Sequence, residues 1–404
     1  MDIGIVGAGF AGMSAALFLA RDGHRVTLYE RAEKPGPVGA AIVLQPSGLA
    51  VLRQLDLDRG IAAKSARIDR LHVTTAKGKT VVDLDYASLD PSWFGLGVGR
   101  GVLFDALWSQ LASHGVVVRT SSDVTALAVS APGSARARST GGPEAHALVT
   151  REGDRLGPHE LIVAADGSRS SIAGHIPGRS VKPYPWGALF FVGPASDDAS
   201  LRQIADGARR FMGVLPMGHG RASLFWSLRA DRLASWRSGF AGWREEALEL
   251  GPHAESLIDA IGGPDEVLFA PYFDVRMKRW FAPGIVAIGD AAHATSPQLG
   301  QGSNLALWDA FVLAQSLRAH PDDVAVALER YSRLRRRHLA YYQRATRWLT
   351  PLFQGDSRVL GVVRDVGLPI ACRIGPLRRL MTASMAGVAA GFFGRREPLP
   401  GPWP

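Results

Sequence analysis

The chain has 404 residues, 47% of them hydrophobic, enough to fill one large core or two medium ones. Its formal net charge of +9 is carried by basic residues scattered along the chain, which argues against a nucleic-acid binder. A single cysteine, Cys372, excludes an intramolecular disulfide or a cysteine-rich metal site and suits a reducing, cytoplasmic compartment.

The first residues lead straight into an apolar strand without the basic segment and cleavage site of a signal peptide, so secretion is not expected. No run reaches the roughly 18 uninterrupted apolar residues of a membrane span, and no integral membrane segment is predicted. Peripheral contact with a membrane stays open. The densest basic cluster, Arg333, Arg335, Arg336 and Arg337 with His338, falls in a helical pattern. It reads as a solvated face that could meet an acidic partner or a membrane surface.

In chain order, residues 3–6 form a short apolar strand, 7–12 a glycine-rich turn, 13–22 a packed helix and 25–29 a second strand, which is a βαβ unit. A helix is expected over 46–55 and a hairpin over 71–85, with Lys77-Gly78-Lys79 at its tip. Residues 101–114 read as a helix and 116–119 as a strand. The Ser-, Gly- and Pro-rich stretch 130–146 reads as a loop or hairpin tip. Beyond it, 147–151 and 160–164 are expected to pair. From about 181 to 280 the pattern turns to strands (186–193, 209–215, 222–228 and 267–275), with one helical interlude near 242–260. The α/β style returns with a strand at 284–288 and a long helix after Gly302. Everything beyond Pro321 reads as helical, up to a Pro-rich tail.

Gly7-Ala8-Gly9-Phe10-Ala11-Gly12 is a G-x-G-x-x-G placed between a strand and a helix, and Glu30 ends the next strand. Gly7 permits the tight turn, Gly9 lets the backbone approach a pyrophosphate, and Gly12 allows close packing of helix on strand. The helix N-terminus favours the anionic phosphates, and Glu30 is placed to accept hydrogen bonds from ribose hydroxyls. Arg31 follows it. A dinucleotide is implied; which one the motif leaves undecided.

Two Asp-Gly signatures come later. The strand 163–165 runs into Asp166-Gly167-Ser168-Arg169-Ser170. The strand 284–288 ends in Gly289-Asp290-Ala291-Ala292-His293, then passes Pro297 to Gly300-Gln301-Gly302-Ser303-Asn304. Singly, each is an ordinary strand-ending turn. Together with the fingerprint, and in this order, they resemble the class A, single-component flavoprotein monooxygenases, the group of para-hydroxybenzoate hydroxylase, the ubiquinone-pathway hydroxylases, salicylate hydroxylase and the tetracycline-modifying oxygenases. The resemblance spans about residues 1–345. It also covers Arg100, at a position where the family's arginine contacts the flavin.

The resemblance implies an α/β fold. A discontinuous Rossmann-like FAD-binding domain (1–70, 100–180 and 281–330) would carry an inserted mixed β-sheet substrate domain (71–99 and 181–280) and a C-terminal helical region (331–404). It implies FAD held by Gly7, Gly9, Ala11, Gly12, Glu30, Arg31, Arg100, Asp166, Gly167, Gly289, Asp290, Pro297, Gly300, Gly302, Ser303 and Asn304. Asp290 would bond a ribityl hydroxyl, the 300–304 backbone would cradle the isoalloxazine, and Pro297 would lie against the flavin face that meets oxygen. NADH or NADPH would reduce the flavin, although the lack of a second G-x-G-x-x-G for a nicotinamide domain fits reduction by a partner protein equally well. O2 would be delivered through a flavin C4a-hydroperoxide to hydroxylate or epoxidise an aromatic or apolar small molecule.

Pocket candidates on the strand-rich segment are Phe191, Phe211, Phe225 and Phe273, with Phe190, Met212, Trp226 and Tyr272 beside them; alternation sends half of each strand's side chains away from a pocket. His72, His219 and His293 are available, but none is marked as a general base, and the backbone role of the 289–293 motif suffices to explain His293. The fold also hosts halogenases, whose Trp-x-Trp-x-Ile-Pro segment is absent here, prenyl-chain reductases that need no oxygen, and non-catalytic carriers. The helical tail (350–394) could close over the substrate domain or an apolar substrate entrance, cap the core or form a dimer surface, and both monomer and homodimer fit.

Overall fold

The computed structural model describes residues 1–37, 39–129, 146–195 and 198–401. Its centre is a six-stranded sheet in the order Phe281–Ala282, Ile285–Ala287, Leu161–Ala164, Asp2–Val6, Arg25–Tyr29 and Val117–Arg119. Every neighbouring pair is parallel except the first. Leu161–Ala164 and Ile285–Ala287 are buried at every position, the continuous apolar signature of parallel strands covered on both faces. Chain order reverses across Asp2–Val6, which opens a crevice beyond its C-terminal end. Helix Phe10–Arg21 starts inside the glycine motif, three residues earlier than its apolar run suggests, because Gly9 serves as its N-cap in extended backbone. It packs on the long helix Gly302–Ala319 with Phe18 edge-on to Phe311.

One expected pairing is wrong. Residues 147–151 and 160–164 do not pair with each other: His146–Thr150 lies between Val124–Val129 and Arg155–His159 in a separate antiparallel sheet, while Leu161–Ala164 joins the parallel core. The third run, Arg155–His159, carries Gly157-Pro158 and no apolar alternation, so it was not legible as a strand. The expected loop over 130–146 lies outside the described residues up to its last position, His146, which opens a strand.

A seven-stranded sheet runs Leu268–Arg276, Ser180–Pro194, Arg221–Arg229, Arg210–Gly218, Ser200–Asp206, Arg70–Thr75 and Thr80–Asp85. The hairpin around Lys77–Lys79 thus extends strands from a distant part of the chain. It joins in parallel through Arg70–Thr75 and Ser200–Asp206, which makes the sheet mixed. Strand Gly95–Gly99 pairs elsewhere, with Ala41–Leu44 and Ala66–Ile68. The large sheet has two differently filled faces. One packs Leu189, Met212, Leu224 and Trp226 against the helices of 233–259, where Trp226, Trp236 and Trp243 meet edge to face. The other, with Phe211, Leu215 and Phe225, belongs to the main core.

The C-terminal helices Val324–Phe353, Arg358–Arg373 and Gly375–Met385 are not an appendage. Tyr331, Leu339, Tyr342, Ala383, Met385 and Val388 are buried in the same core as the first strand. Among the described residues no helix is long and apolar enough to cross a membrane.

The small and large sheets approach at Gly97, where an added methyl group would lie 1.9 Å from the Pro216 carbonyl oxygen. Backbone cannot yield as a flexible side chain does. Gly97→Ala is therefore expected to lower stability by about 2 kcal/mol in chemical denaturation; an unchanged midpoint would contradict the close approach.

Candidate active site

The three motifs, far apart in sequence, meet around the start of helix Phe10–Arg21. Gly7 has φ of +102°, and a methyl group on it would lie 2.6 Å from the Ala165 carbonyl oxygen and 2.8 Å from the Asp166 Cα. Gly12 packs so closely that its methyl would strike the Gly7 oxygen at 2.0 Å. Gly289, with φ of +59°, abuts the Ala11 methyl group. These three glycines are demanded by the fold itself. Gly9 is different: a side chain there would meet nothing within 4 Å, and neither would one at Gly167 or Gly302. The open space lies ahead of a helix N-terminus whose first amides have no intrahelical acceptor.

Glu30 sits at the edge of this space, its two carboxylate oxygens accepting from the amides of Ala8 (2.9 Å) and Ala32 (3.0 Å). Arg31 beside it is exposed and makes no hydrogen bond among the described residues. Arg100 opens helix Arg100–Leu111, and its guanidinium lies 4.9 Å from the centre of the Phe10 ring. Its Nε is buried without a partner. Burial depresses the Arg100 pKa, and only the field of Asp290 opposes that shift. The Asp166 Oδ1 is likewise buried and unpartnered; burial raises its carboxyl, countered by a hydrogen bond from Ser170 and the nearby Arg179. An unsatisfied cation, an unsatisfied carboxylate and glycine backbone facing open space fit a dinucleotide with anionic phosphates and donor hydroxyls.

Arg179 was not legible in the sequence. It donates from Nε to the Ala291 carbonyl (3.0 Å) and from a terminal nitrogen to the Ser168 carbonyl (2.7 Å), tying one Asp-Gly turn to the other.

Below the 289–293 turn lies a buried polar network. Asp309, fully buried, accepts from the Gly289 amide (2.9 Å), His293 Nε2 (2.5 Å) and Arg335 Nε (2.7 Å). Burial alone would raise its carboxyl, but interaction with His293 and Arg335 outweighs that and holds it at about 2. Arg335 also donates to His338 Nδ1 (2.7 Å), which leaves the His338 Nε2 proton for the Gly387 carbonyl at 2.8 Å. Burial, reinforced by Arg335, keeps His338 neutral. Arg335 and His338 are thus core residues, correcting the reading of the 333–338 cluster as a solvated face. His293 likewise has a side-chain task beyond its motif's backbone. Asp290, one residue past the braced amide, is exposed toward the crevice side of Arg100.

Pro297 is exposed and starts the short turn Pro297–Leu299, which ends at Gly300 with φ of +61°. Gly302 and Ser303 open the long helix with their backbone accessible. The Asn304 side chain is wholly committed to the protein: Oδ1 accepts from the Gln45 amide (2.8 Å), and Nδ2 donates to Val43 O (3.0 Å) and Gly300 O (3.1 Å). Its side chain shapes the loop. The remaining histidine candidates stand apart. His72 pairs weakly with Thr80 on the edge hairpin, and His219 occupies a turn at positive φ.

Of the four aromatic candidates, Phe211 and Phe225 come together with ring centres 5.1 Å apart. Phe353 joins Phe211 at 4.9 Å, and Phe190 faces Phe225 at 6.5 Å. Phe191 is corrected: it points to the opposite face of the sheet, among the 233–259 helices beside Leu257, because alternation puts 190, not 191, on the Phe225 side. Phe273 also stands apart, with the Arg169 guanidinium 5.9 Å from its ring centre. Gln354 fixes the spacing between the sheet and the Pro297 turn. It accepts from Gln298 Nε2 (2.8 Å) and donates to Gly187 O (3.2 Å), while Ser296 and Thr350 share a hydroxyl hydrogen bond of 2.5 Å.

The profile of the FAD binding domain family matches residues 1–346, and the chain belongs to that family. A kynurenine 3-monooxygenase of Salinispora arenicola is 30% identical over 362 residues, covering 83% of this chain and 76% of that protein. An FAD-dependent urate hydroxylase of Mycolicibacterium vanbaalenii is 26% identical over 358 residues, covering 83% and 84%. Among solved structures, Klebsiella pneumoniae HpxO with FAD and uric acid superposes with a TM-score of 0.78 at 20% identity, covering 96% of this chain and 97% of that one; it shares the fold. The protein is an FAD-dependent monooxygenase, a class that typically takes its reducing equivalents from NADH or NADPH. Reductase and carrier readings find no support among these relatives.

Two variants separate ligand space from fold. Gly9→Val is expected to cut bound flavin at least about tenfold with little change in apo-protein stability, since no protein atom opposes the side chain. Full flavin content in that variant would refute the assignment. Asp309→Asn is expected to cost about 3 kcal/mol or more, because it strands the buried Arg335 charge. The sign with pH follows from the depressed Asp309 pKa. Its contribution is full above about pH 4, the unfolded carboxylate range, and is lost as pH falls through about 2. Urea titrations of both proteins over that window check it.

Proposed function

We propose that this enzyme hydroxylates a largely apolar aromatic small molecule seated between the Phe190, Phe211 and Phe225 face of the large sheet and the Pro297–Gly300 turn. The observation that carries the reading is the aromatic cluster itself. Phe211, Phe225, Phe190 and Phe353 present ring faces and edges on one side of a sheet, and Gln354 holds that sheet against the turn. The curated relatives include proteins named for urate, kynurenine and 3-amino-4-hydroxybenzoate, which supports an aromatic substrate.

When bound, FAD supplies the hydride-accepting and oxygen-activating chemistry. The chain's own residues position and enclose. In this reading the Gly7–Gly12 backbone, with Ala11 packed against Gly289, receives the pyrophosphate, and Glu30 takes the adenosine ribose. Arg100, Asp166, Gly167 and Asp290 satisfy the remaining charges and hydroxyls. The free amides of Gly302 and Ser303 at a helix start favour negative charge on the reduced ring system. Pro297, Gly300 and the Asn304-braced loop border the reacting face. The aromatic cluster excludes water, which protects the oxygenating step from unproductive loss of hydrogen peroxide. Two parts of the chain divide the work: 1–70, 100–180 and 281–330 hold the cofactor, while most of the substrate contact falls within 181–280.

The test is NADH and NADPH oxidation by wild type and Phe225→Ala across a panel of aromatic compounds. Phe225→Ala is expected to keep its flavin while raising KM for the best substrate by about tenfold, the usual worth of one pocket contact. An unaltered KM with every accepted compound would place the substrate elsewhere.

A further inference from the structure

We propose that helix Arg358–Arg373 and its continuation to Leu377 dock on the surface of an anionic lipid bilayer. The helix turns an apolar stripe to the outside. Val359, Val363, Val366 and Ile370 fall three or four residues apart on a single stripe, which Val362 widens. They are 51% to 68% exposed, and Ile374 and Leu377 carry the apolar surface onward at 45% and 41%. The inward side packs Leu368 and Cys372 on the core and carries one buried charge. Arg364 is completely buried, donating to the carbonyls of Gly207 (2.7 Å) and Leu352 (3.1 Å) and pairing with Asp365. Gly361 packs so closely on Gly207 and Ala208 that an added methyl would lie 2.8 Å from the Gly207 carbonyl carbon. These contacts lock the rotation of the helix, so the apolar stripe cannot turn inward and faces outward in the folded protein.

Charge decides the occupant. Between residues 354 and 396 the chain carries seven arginines and two acids, Asp356 and Asp365. Both acids are taken up, Asp356 by Arg209 and Arg229 and Asp365 by Arg364. Arg358, Arg373, Arg378 and Arg379 border the stripe, exposed and in no ion pair among the described residues. A valine and isoleucine face rimmed by uncompensated arginines matches acyl chains beneath anionic headgroups. A second copy fits less well, since a two-fold antiparallel pairing of this helix would bring its arginine-bearing ends together. The helix would lie on the surface without spanning it.

The test uses the full-length flavin-loaded enzyme, co-sedimented with vesicles of pure phosphatidylcholine and with vesicles of equal parts phosphatidylcholine and phosphatidylglycerol. Wild type is expected to bind the anionic vesicles at least about tenfold more tightly and to be released by high salt. The double variant V363E/V366E should lose that binding while keeping its flavin content and its NADH or NADPH oxidation. Absence of wild-type binding, equal binding to both vesicles, or unchanged binding by the variant would each overturn the proposal. So would a wild-type dimer in sedimentation velocity that the variant converts to monomer, which would assign the stripe to a second copy.

Discussion

One buried carboxylate, Asp309, organises more of this protein than any other group. It lies on the long helix and reaches under the 289–293 turn, and its two oxygens take three donors, two from that turn and one from helix Val324–Phe353. A buried ion pair is not cheap to form, because both charges leave water. Here every partner is itself bonded: Arg335 to His338, and His338 to the Gly387 carbonyl. The polar chain therefore runs from the turn before Asp290 to the C-terminal segment. Gln301 completes the tie by donating to the carbonyls of Ser384 and Met385. The cofactor side of the molecule and helix Gly375–Met385 are one unit, and Asp290 is held where it is by groups far from it in sequence.

The glycines of the site divide along the same line between fold and ligand. Gly7, Gly12 and Gly289 are small because protein backbone or the Ala11 methyl occupies the space beside them. Gly9, Gly167 and Gly302 face nothing in the protein. A fingerprint that reads as one motif thus combines two constraints, close packing of a helix on a sheet and clearance for a bound anion. Arg179 adds a third, the fixed separation of the two Asp-Gly turns.

The order of helices and strands and the cofactor crevice were legible because they rest on local signals: glycine spacing, apolar runs and strand alternation. The network below the crevice was not. Asp309 is one acid within an apolar helix, and Arg335 is one arginine among several, with nothing in spacing to mark either as buried. Pairing of distant segments was equally hidden, as with strand Arg155–His159, whose Gly-Pro pair breaks any alternation. The shift from Phe191 to Phe190 is a parity error: a one-residue change of phase moves a side chain to the other face of the sheet, and sequence alone did not fix the phase. The C-terminal helices gave apolar spacing without saying which side faced in. In Arg358–Arg373 Gly361 and Arg364 settle that, and in the flanking helices the burial of Tyr331, Leu339, Tyr342 and Ala383 does.

We propose an oxygenase whose flavin works beside an aromatic face. The most direct measurement is mass spectrometry of product formed under 18O2 with NADH or NADPH and an aromatic substrate. It should show one labelled oxygen atom in the product for each molecule of NADH or NADPH consumed in coupled turnover. Product that carries no label, or that forms equally well without oxygen, would contradict it.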